Sequence, residues 1–329
     1  MRVFNSLFFL LFVFFISCQK EEKHPVDFYY WKSKVSIGKV EKHYFEKLHS
    51  QKLYVRIFDI DKVNGQIQPV AKIDSFDSSL LKAEYIPVIF ITNRTLQGLT
   101  QKDLSVLAEN IYAQTDHILS KSTITSWNEL QLDCDWTPST HENYFYLLKQ
   151  LKSLSGKKIS CTLRLHQIKY KDKTGIPPVD KGYLMCYATS DPTDSSGKNS
   201  ILDMALLKDY LSSISAYPLS FDVALPLYSW GIVTNHLGKI KLINGLTSEE
   251  LSSAKFTKIS KNTYQAKEDQ FLNGLFISKD FIITLESISP ELLTEAKTYL
   301  NKQIKKPYSI VYYHLDSKFI QRFTVRELE

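Results

Sequence analysis

The order of predicted elements along the chain indicates a (β/α)8 barrel. From Val26 onward, short segments rich in Tyr, Phe, Ile and Val alternate with segments of helical periodicity, an order typical of βα units around a parallel sheet. Eight predicted strands fall within residues 26–329, a length that suits an eight-unit TIM-type barrel. The alternative is an open doubly wound sheet, but the glycine-rich phosphate loop of that fold does not follow the first strand.

The N-terminal segment predicts export from the cytoplasm. Arg2 precedes an apolar run from Leu7 to Ile16. A helix of that length rises about 15 Å, which is half of what a bilayer core requires. The run therefore has the length of a signal-peptide core and is too short to span a membrane.

A cysteine follows this apolar run in a sequence, Phe15-Ile16-Ser17-Cys18, that resembles the lipobox of bacterial lipoproteins. The resemblance implies a signal peptide over 1–17, a lipid on Cys18 and a tether over 18–25. The alternative is an ordinary secretory signal with an incidental cysteine. The next residues, Gln19-Lys20-Glu21-Glu22, resemble the surface-export signal of Bacteroidetes lipoproteins. We therefore expect the membrane as a partner, through a lipid anchor in the bacterial outer membrane, with the protein exposed at the cell surface.

Eight runs have the composition of buried strands, being rich in aromatic and β-branched residues. They are Asp27–Trp31, Leu53–Ile60, Ile86–Thr92, Leu130–Trp136, Ile159–His166, Gly182–Ala188, Ser220–Tyr228 and Ser309–Leu315. The clearest helical periodicities lie between them, at Gln101–Ser120, Thr140–Ser153, Ile201–Ser213 and Pro290–Lys302. Ser139, with Glu142 three residues later, predicts a capping box at the start of the helix after the fourth strand.

The seventh and eighth predicted strands are separated by more chain than one helix needs. The segment 231–289 contains three further strand-like runs, Lys239–Ile243, Ala254–Ser260 and Phe281–Leu285. We expect a small β-rich insertion there, within one barrel domain over 26–329.

Composition excludes several classes of protein. The chain is 43% hydrophobic and 23% charged, as a folded globular protein is. Its 41 basic and 35 acidic residues give a net charge of +6 that is spread along the chain, so we expect no nucleic-acid partner. Four cysteines are too few for a disulfide scaffold, and neither a zinc-ligand spacing nor a G-x-S-x-G serine elbow occurs. We expect no metal and no cofactor.

Strand parity separates a polar face from an apolar face. Thr162, Arg164 and His166 share one face of the fifth predicted strand. Asp133 and Asp135 share one face of the fourth. We expect both polar sets to face the barrel axis and the apolar residues of the same strands to pack against the helices.

The same parity places three cysteines under the helices. Cys134, Cys161 and Cys186 lie near the middle of predicted strands, and the first two oppose the polar set of their strand. We expect structural burial for these thiols rather than a catalytic, metal or disulfide role.

Four strand ends resemble those of family 18 glycoside hydrolases, which are chitinase-like (β/α)8 enzymes. The segment Leu130–Thr137, LQLDCDWT, aligns with the family's D-x-x-D-x-D-x-E motif at the fourth strand. Met185-Cys186-Tyr187 matches the Met-x-Tyr end of the sixth strand, and Ala224–Tyr228 resembles the segment at the seventh. Tyr313 and Asp316 occupy places similar to the Trp and nearby Asp of the eighth.

Two positions depart from the fourth-strand motif. Leu130 stands at the first Asp, and Thr137 stands at the terminal Glu. In the family that Glu protonates the glycosidic oxygen, and the Asp two positions earlier orients the acetamido group that attacks the anomeric carbon. A threonine hydroxyl does not titrate near neutral pH and cannot be the general acid. The resemblance thus implies a sugar-shaped cleft without the family's reaction.

The candidate site gathers the polar residues of the strand ends. Asp135 and Asp133 are the candidate catalytic carboxylates, with a buried structural role as the alternative for Asp133. The candidate sugar-binding residues are Arg164, His166, Tyr187, Tyr228, Tyr313 and Asp316. Ordinary glycoside hydrolysis needs a second carboxyl about 5–9.5 Å from the first. The possible partners of Asp135 are Asp191, Asp222, Asp316, His166 and His314.

Three functions stay open on this basis, with a glycan as the expected ligand of the first two. One is a surface glycan hydrolase with a non-standard acid. Another is a non-catalytic glycan-binding lipoprotein that has kept the barrel and lost the acid. The third is a cell-envelope scaffold without a ligand.

Overall fold

The computed structural model describes residues 23–122, 124, 126–194 and 197–329. The predicted signal peptide, Cys18 and the segment 19–22 lie outside these residues. Within the described ranges, none of the helices combines the length and the apolar character that crossing a bilayer requires.

Eight of the strands close into a parallel barrel. In chain order the strands of the described residues are β1 (Val26–Tyr30), β2 (Lys52–Val63), β3 (Gln66–Val70), β4 (Glu84–Ile91), β5 (Glu129–Asp133), β6 (Lys158–Arg164), β7 (Lys181–Met185), β8 (Phe221–Pro226), β9 (Ser229–Thr234), β10 (Ile240–Asn244), β11 (Phe256–Lys258), β12 (Thr263–Ala266), β13 (Gln270–Leu272), β14 (Leu275–Ile277), β15 (Ile282–Ser287) and β16 (Ile310–Tyr313). The barrel order is β1-β16-β8-β7-β6-β5-β4-β2, and β2 pairs back with β1. This closure confirms the predicted (β/α)8 barrel.

The helices of the described residues cover the outside of the barrel, except for the short helix 248–251, whose Leu251 packs in a separate core between β8 and β16. They are α1 (Lys39–Lys47), α2 (Gln101–Lys121), α3 (His141–Ser155), α4 (Leu165–Lys169), α5 (Lys171–Thr174), α6 (Met204–Tyr210), α7 (Ser248–Leu251), α8 (Pro290–Gln303), α9 (Ser317–Ile320) and α10 (Val325–Leu328). Local sequence explains where they begin. Thr100 and Asp103 form a reciprocal capping box at α2, and Ser289 caps α8 with Pro290 in its first turn.

The capping box predicted at Ser139 and Glu142 is wrong. Helix α3 begins at His141, and its N-cap residue is Thr140, which makes no side-chain cap. The Thr140 hydroxyl instead accepts a hydrogen bond from the Thr137 N–H at 3.0 Å and donates one to Asn93 Oδ1 at 2.5 Å. A contact with the preceding βα loop therefore replaces the local cap.

The main hydrophobic core lies between the strands and the helices. It contains Cys134, Cys161 and Cys186, all with 0% exposure, which confirms their predicted burial. Burial raises the pKa of each of these thiols, so they stay protonated and inert at neutral pH.

The inside of the barrel combines aromatic rings with a buried polar network. The hydroxyls of Tyr54 and Tyr183 lie 2.7 Å apart, and Tyr183 also donates to Glu129 Oε1 at 3.1 Å. Ser160 Oγ donates to the same carboxylate oxygen at 2.6 Å. Because these buried polar groups find partners, the lower half of the barrel is a packed interior rather than a channel.

A second sheet lies along the chain between β8 and β16. It is antiparallel, with the order β10-β9-β15-β12-β11, and has its own small apolar core. The strands β13 and β14 form a separate hairpin whose turn, Asn273-Gly274, has positive φ angles of 47° and 82°. Only two residues separate the end of β8 from the start of β9, so this sheet lies beside the C-terminal end of the barrel.

Strand β2 extends past the barrel and pairs with β3 as an antiparallel hairpin. Its register with β4 shifts between Arg56 and Phe58, which marks a β-bulge. A bulge reverses the alternation of side chains along a strand. Phe58 therefore packs in the outer core, and Asp59 comes to the same side as Arg56.

Candidate functional site

The polar strand ends meet at the C-terminal mouth of the barrel. All eight barrel strands are parallel, so the residues that end or follow them lie at one end of the molecule. Asp135 follows β5, Arg164 ends β6, Tyr187 follows β7, Tyr228 follows β8 and Tyr313 ends β16.

Asp135 and Arg164 form an ion pair with two hydrogen bonds. Arg164 Nη2 lies 2.9 Å from Asp135 Oδ2, and Arg164 Nε donates to Oδ1. The two side chains are 42% and 26% exposed, so the pair is open to the mouth. Burial alone lowers the pKa of Arg164, but the hydrogen bonds and charge of Asp135 outweigh this effect and raise it. Arg164 is a permanent cation here.

Asp133 lies deeper, below this ion pair. It is 6% exposed, and its Oδ1 accepts a hydrogen bond from Thr162 Oγ1 at 2.6 Å. Burial raises the pKa of Asp133 to about 6; the Arg164 charge opposes this rise and the Asp135 charge adds to it. Asp133 is thus a carboxyl that changes charge near neutral pH.

Aromatic side chains form one wall of the mouth. The Tyr313 ring centroid lies 5.4 Å from that of Tyr187, 5.7 Å from that of Tyr228 and 5.6 Å from that of Trp31. Trp230, from β9, continues the wall at 5.4 Å from Tyr228. We call these five residues the aromatic wall. Such a surface suits the apolar face of a pyranose ring.

The Tyr187 hydroxyl is buried without a hydrogen-bond partner among the described residues. A buried hydroxyl is normally satisfied, because leaving it unpaired costs about 1–3 kcal/mol. Burial raises the pKa of Tyr187 well above its usual value, and the nearby Arg164 charge opposes this, so the hydroxyl keeps its proton. It is available to a ligand as a neutral donor and acceptor.

Thr137 lies two residues beyond Asp135, at the position that the fourth-strand resemblance assigns to the general acid. Its hydroxyl lies 2.9 Å from Ser139 Oγ and 3.3 Å from Thr140 Oγ1. These contacts tie Thr137 into the turn before α3. The position therefore carries neither a titrating proton nor a free side chain.

Two other predicted sugar-binding residues lie in or at short helices that follow the strand ends. His166 lies in α4, because the strand ends at Arg164, and the strand parity that placed it beside Arg164 was wrong. Asp316 caps α9, where it accepts from the Lys318 N–H at 2.9 Å, and it pairs with Lys32 at 2.9 Å.

Three of the candidate partners of Asp135, namely His166, His314 and Asp316, offer no acidic proton at neutral pH. Burial lowers the pKa of His314 to about 4 and also lowers that of His166, so both are neutral imidazoles. Burial alone raises the pKa of Asp316, but the hydrogen bond and charge of Lys32 outweigh it, and its carboxyl is ionised. By contrast, burial raises the pKa of the Asp133 carboxyl to about 6.

Sequence reasoning missed Arg56 and the two tryptophans of the aromatic wall. Arg56 lies 5.7 Å from the Trp31 ring centroid and 3.4 Å from Asp59 Oδ2. Its Nε and Asp59 Oδ1 have no partner among the described residues. The sequence signal for Arg56 was an arginine inside an otherwise apolar strand. The β-bulge after Arg56 was not predicted, so strand parity did not place Asp59 on the same face as Arg56.

The described residues contain no cluster of three or more His, Cys, Asp or Glu side chains that would hold a metal ion. A cavity of about 390 Å³ lies elsewhere, between α2 and the β2–β3 hairpin. Its lining is mostly apolar, with Phe58, Ile67 and Leu107 among the contacts, and it includes none of the candidate site residues.

Solved structures with a similar fold include chitinases and a spore cortex-lytic enzyme. The spore cortex-lytic enzyme SleL of Bacillus cereus has a TM-score of 0.57 at 14% identity, over 93% of this chain and 73% of that one. A chitinase of Chromobacterium violaceum has a TM-score of 0.57 at 11% identity, covering 93% and 99%. The family 18 chitinase ChiB of Flavobacterium johnsoniae has a TM-score of 0.51 at 12% identity, covering 93% of each chain.

No protein-family model matches the chain, and no curated protein matches it in sequence. The similarity to solved structures therefore rests on the fold. This chain has the (β/α)8 fold of chitinases and SleL, and the resemblance to family 18 glycoside hydrolases that its strand ends indicated is confirmed at that level.

Proposed function

We propose that this protein is a glycan-binding barrel that does not carry out chitinase-type hydrolysis. The observation that carries the proposal is the state of position 137. Where the family places its general acid, Thr137 offers a hydroxyl that is bound to Ser139 and Thr140. General acid assistance is typically worth about 10²–10⁴ in rate, so its loss removes most of the family's reaction.

The rest of the mouth favours sugar binding. The aromatic wall supplies stacking surfaces, and the Asp135–Arg164 pair supplies charged hydrogen-bonding groups at the surface of the same cleft. The unpaired Tyr187 hydroxyl has an explanation if a ligand hydroxyl or carbonyl completes it. Solved chitinases share this fold, which supports a saccharide as the ligand.

A second candidate function is glycoside hydrolysis with Asp133 as the acid. Its pKa, raised to about 6 by burial, favours this role. Against it, Asp133 is 6% exposed and is held by Thr162 below the ion pair. A proton donor must come within hydrogen-bond reach of the leaving oxygen. The geometry therefore favours binding over turnover.

Calorimetric titration with a panel of N-acetylated oligosaccharides tests the proposal. The wild type should bind at least one of them, and Tyr187→Phe should weaken that binding about tenfold through the lost hydroxyl. Tyr29→Phe is the matched control, because the Tyr29 hydroxyl donates to Gln131 at 2.7 Å inside the barrel. Absence of binding to the whole panel, or equal losses in the two variants, would contradict a glycan site at the mouth.

We further propose that the mature protein begins at Cys18 and is held by a lipid at the cell surface. The supporting evidence is the sequence alone, from the apolar run to Glu22. Cys18→Ala should abolish acylation and release the protein from the membrane fraction. Replacing Lys20, Glu21 and Glu22 by Ala should reduce its accessibility to external protease in intact cells. Membrane retention of Cys18→Ala, or unchanged accessibility, would refute the respective step.

A further inference from the structure

The end of the barrel opposite the mouth is rich in lysine. The segments that lead into the eight barrel strands meet there, and we call them the basal face. They are 23–26, 47–52, 82–84, 121–122, 124, 126–129, 156–158, 175–181, 214–221 and 304–310. Their sequence holds ten lysines and three carboxylates, the latter being Glu84, Glu129 and Asp180. Asp222 and Glu329 also pair with lysines of this face, which leaves an excess of five positive charges against a net charge of +6 for the whole chain.

Part of this charge is neutralised within the fold. Lys52 lies 3.9 Å from Glu129, Lys181 lies 2.6 Å from Asp222, and Lys23 lies 2.6 Å from Glu329. The remaining charge is at the surface. Exposed lysines of the basal face are Lys47, Lys82, Lys121, Lys158, Lys305 and Lys306. These six lysines lie at the starts of five of the eight barrel strands, β2, β4, β5, β6 and β16, and so are distributed around much of the barrel axis.

The N-terminal side of the chain also reaches the basal face. Lys23, the first described residue, belongs to it, and five peptide steps separate Lys23 from Cys18. Five extended residues span about 18 Å at most. A lipid on Cys18 would therefore hold the basal face within roughly two Debye lengths of the bilayer, since that length is about 8 Å at physiological ionic strength.

We propose that the basal face is a docking surface for an anionic bilayer. The inference rests on the lipid anchor proposed above and adds an orientation to it. Each lysine near an anionic surface strengthens the attraction roughly fivefold. With the basal face on the membrane, the opposite end of the barrel points outward, so Asp135 and the aromatic wall face the medium.

Acetylation of lysines on vesicles tests the orientation. The lipidated full-length protein is added to vesicles of phosphatidylcholine with or without phosphatidylglycerol and treated with a water-soluble acetylating reagent. Mass spectrometry should show several-fold less labelling of Lys158, Lys305 and Lys306 on anionic vesicles, with the difference abolished by high salt. Exposed lysines of the mouth side, Lys34, Lys102 and Lys198, should be labelled equally on both. Equal labelling of the basal lysines on both vesicles would overturn the proposal.

Two matched triple variants remove the same charge from opposite ends. Lys158, Lys305 and Lys306 become Gln in one, and Lys34, Lys102 and Lys198 become Gln in the other. Only the first should lose the protection of the remaining basal residues Lys82 and Lys121 on anionic vesicles. Equal protection in both variants would also overturn the docking surface.

The lipid anchor is tested separately, by measuring the mass of the peptide that contains Cys18. An unmodified cysteine would refute the lipid anchor alone. The basal face would then still predict salt-sensitive co-sedimentation of the unlipidated protein with anionic vesicles. If that co-sedimentation does not occur, the docking surface is refuted as well.

Discussion

Arg164 holds Asp135 through both carboxylate oxygens, with Nη2 to Oδ2 at 2.9 Å and Nε to Oδ1. According to the family resemblance, the carboxylate at this position would orient the acetamido group of a substrate. Here a guanidinium from the neighbouring strand already occupies it. A sugar bound in the mouth as proposed would meet a fixed ion pair, which suits recognition better than a carboxylate that must turn toward a neighbouring acid.

A double-mutant cycle tests the strength of this pair. Asp135→Asn, Arg164→Gln and the double variant should give a coupling free energy of about 1 kcal/mol in urea unfolding. The value is modest because Asp135 is 42% exposed and solvent screens the charges. Additive effects of the two substitutions, with no coupling, would show that the pair is not formed in solution.

Asp133 should make stability depend on pH. Its folded pKa, raised to about 6 by burial, means that the folded protein binds this proton more tightly than the unfolded chain does. Stability is therefore lost as pH rises through the interval from about 4 to 6. Asp133→Asn keeps an acceptor for Thr162 and removes the charge. It should match the wild type near pH 4 and exceed it by about 1–3 kcal/mol at pH 8 in urea unfolding.

A stability difference between these two proteins that does not change with pH would contradict this assignment. Thr162→Val is a useful companion, because it removes the hydroxyl that donates to Asp133 at 2.6 Å. Loss of the Thr162 hydroxyl should raise the pKa of Asp133 further, since the hydrogen bond that it donates favours the ionised carboxylate.

Tyr187 and Tyr29 should respond oppositely to loss of the hydroxyl. Tyr29→Phe breaks a buried hydrogen bond to Gln131 and should cost about 1 kcal/mol in thermal or urea unfolding. Tyr187→Phe removes a hydroxyl without a partner among the described residues and should leave stability unchanged or raise it by up to about 1 kcal/mol. A Tyr187→Phe protein as destabilised as Tyr29→Phe would mean that the Tyr187 hydroxyl is satisfied in the unliganded protein.

Restoring the acid should restore some reaction. Thr137→Glu places a titratable carboxyl at the family's acid position, two residues beyond Asp135. We expect weak turnover of N-acetylated oligosaccharides, above that of Thr137→Gln, which has the same shape without the proton. General acid catalysis typically raises a rate by roughly 10²–10⁴-fold. The gain should stay well below this factor, because Arg164 still holds Asp135. Equal rates in the two variants would contradict the assignment of position 137.

The sequence predicted the barrel because its strand signal is strong and local. Each of the eight barrel strands overlaps a run rich in aromatic and β-branched residues, and α2 and α8 match predicted periodicities within one residue at each end. The mouth was partly predictable for the same reason. Parity correctly gave Asp133 and Thr162 a common side, and their side chains are hydrogen bonded across neighbouring strands.

Parity failed where the backbone leaves regular alternation. Strand β6 ends at Arg164, so His166 lies on a helix, and the bulge in β2 turns Asp59 to the side of Arg56. Trp230 reaches the mouth from the second sheet, a tertiary contact that no local pattern encodes. At the start of α3 the Thr140 hydroxyl likewise donates to Asn93, which is distant in sequence, instead of capping the helix.

The most direct test of the account is one NMR experiment on the wild-type protein with an N-acetylated oligosaccharide that it binds. Saturation transfer from protein to sugar reports binding, and the anomeric signals recorded over a day report cleavage. We expect saturation transfer to the sugar and no new reducing ends. Growth of reducing-end signals that stops when Asp133 is replaced by Asn would contradict it and would establish a hydrolase with Asp133 as its acid.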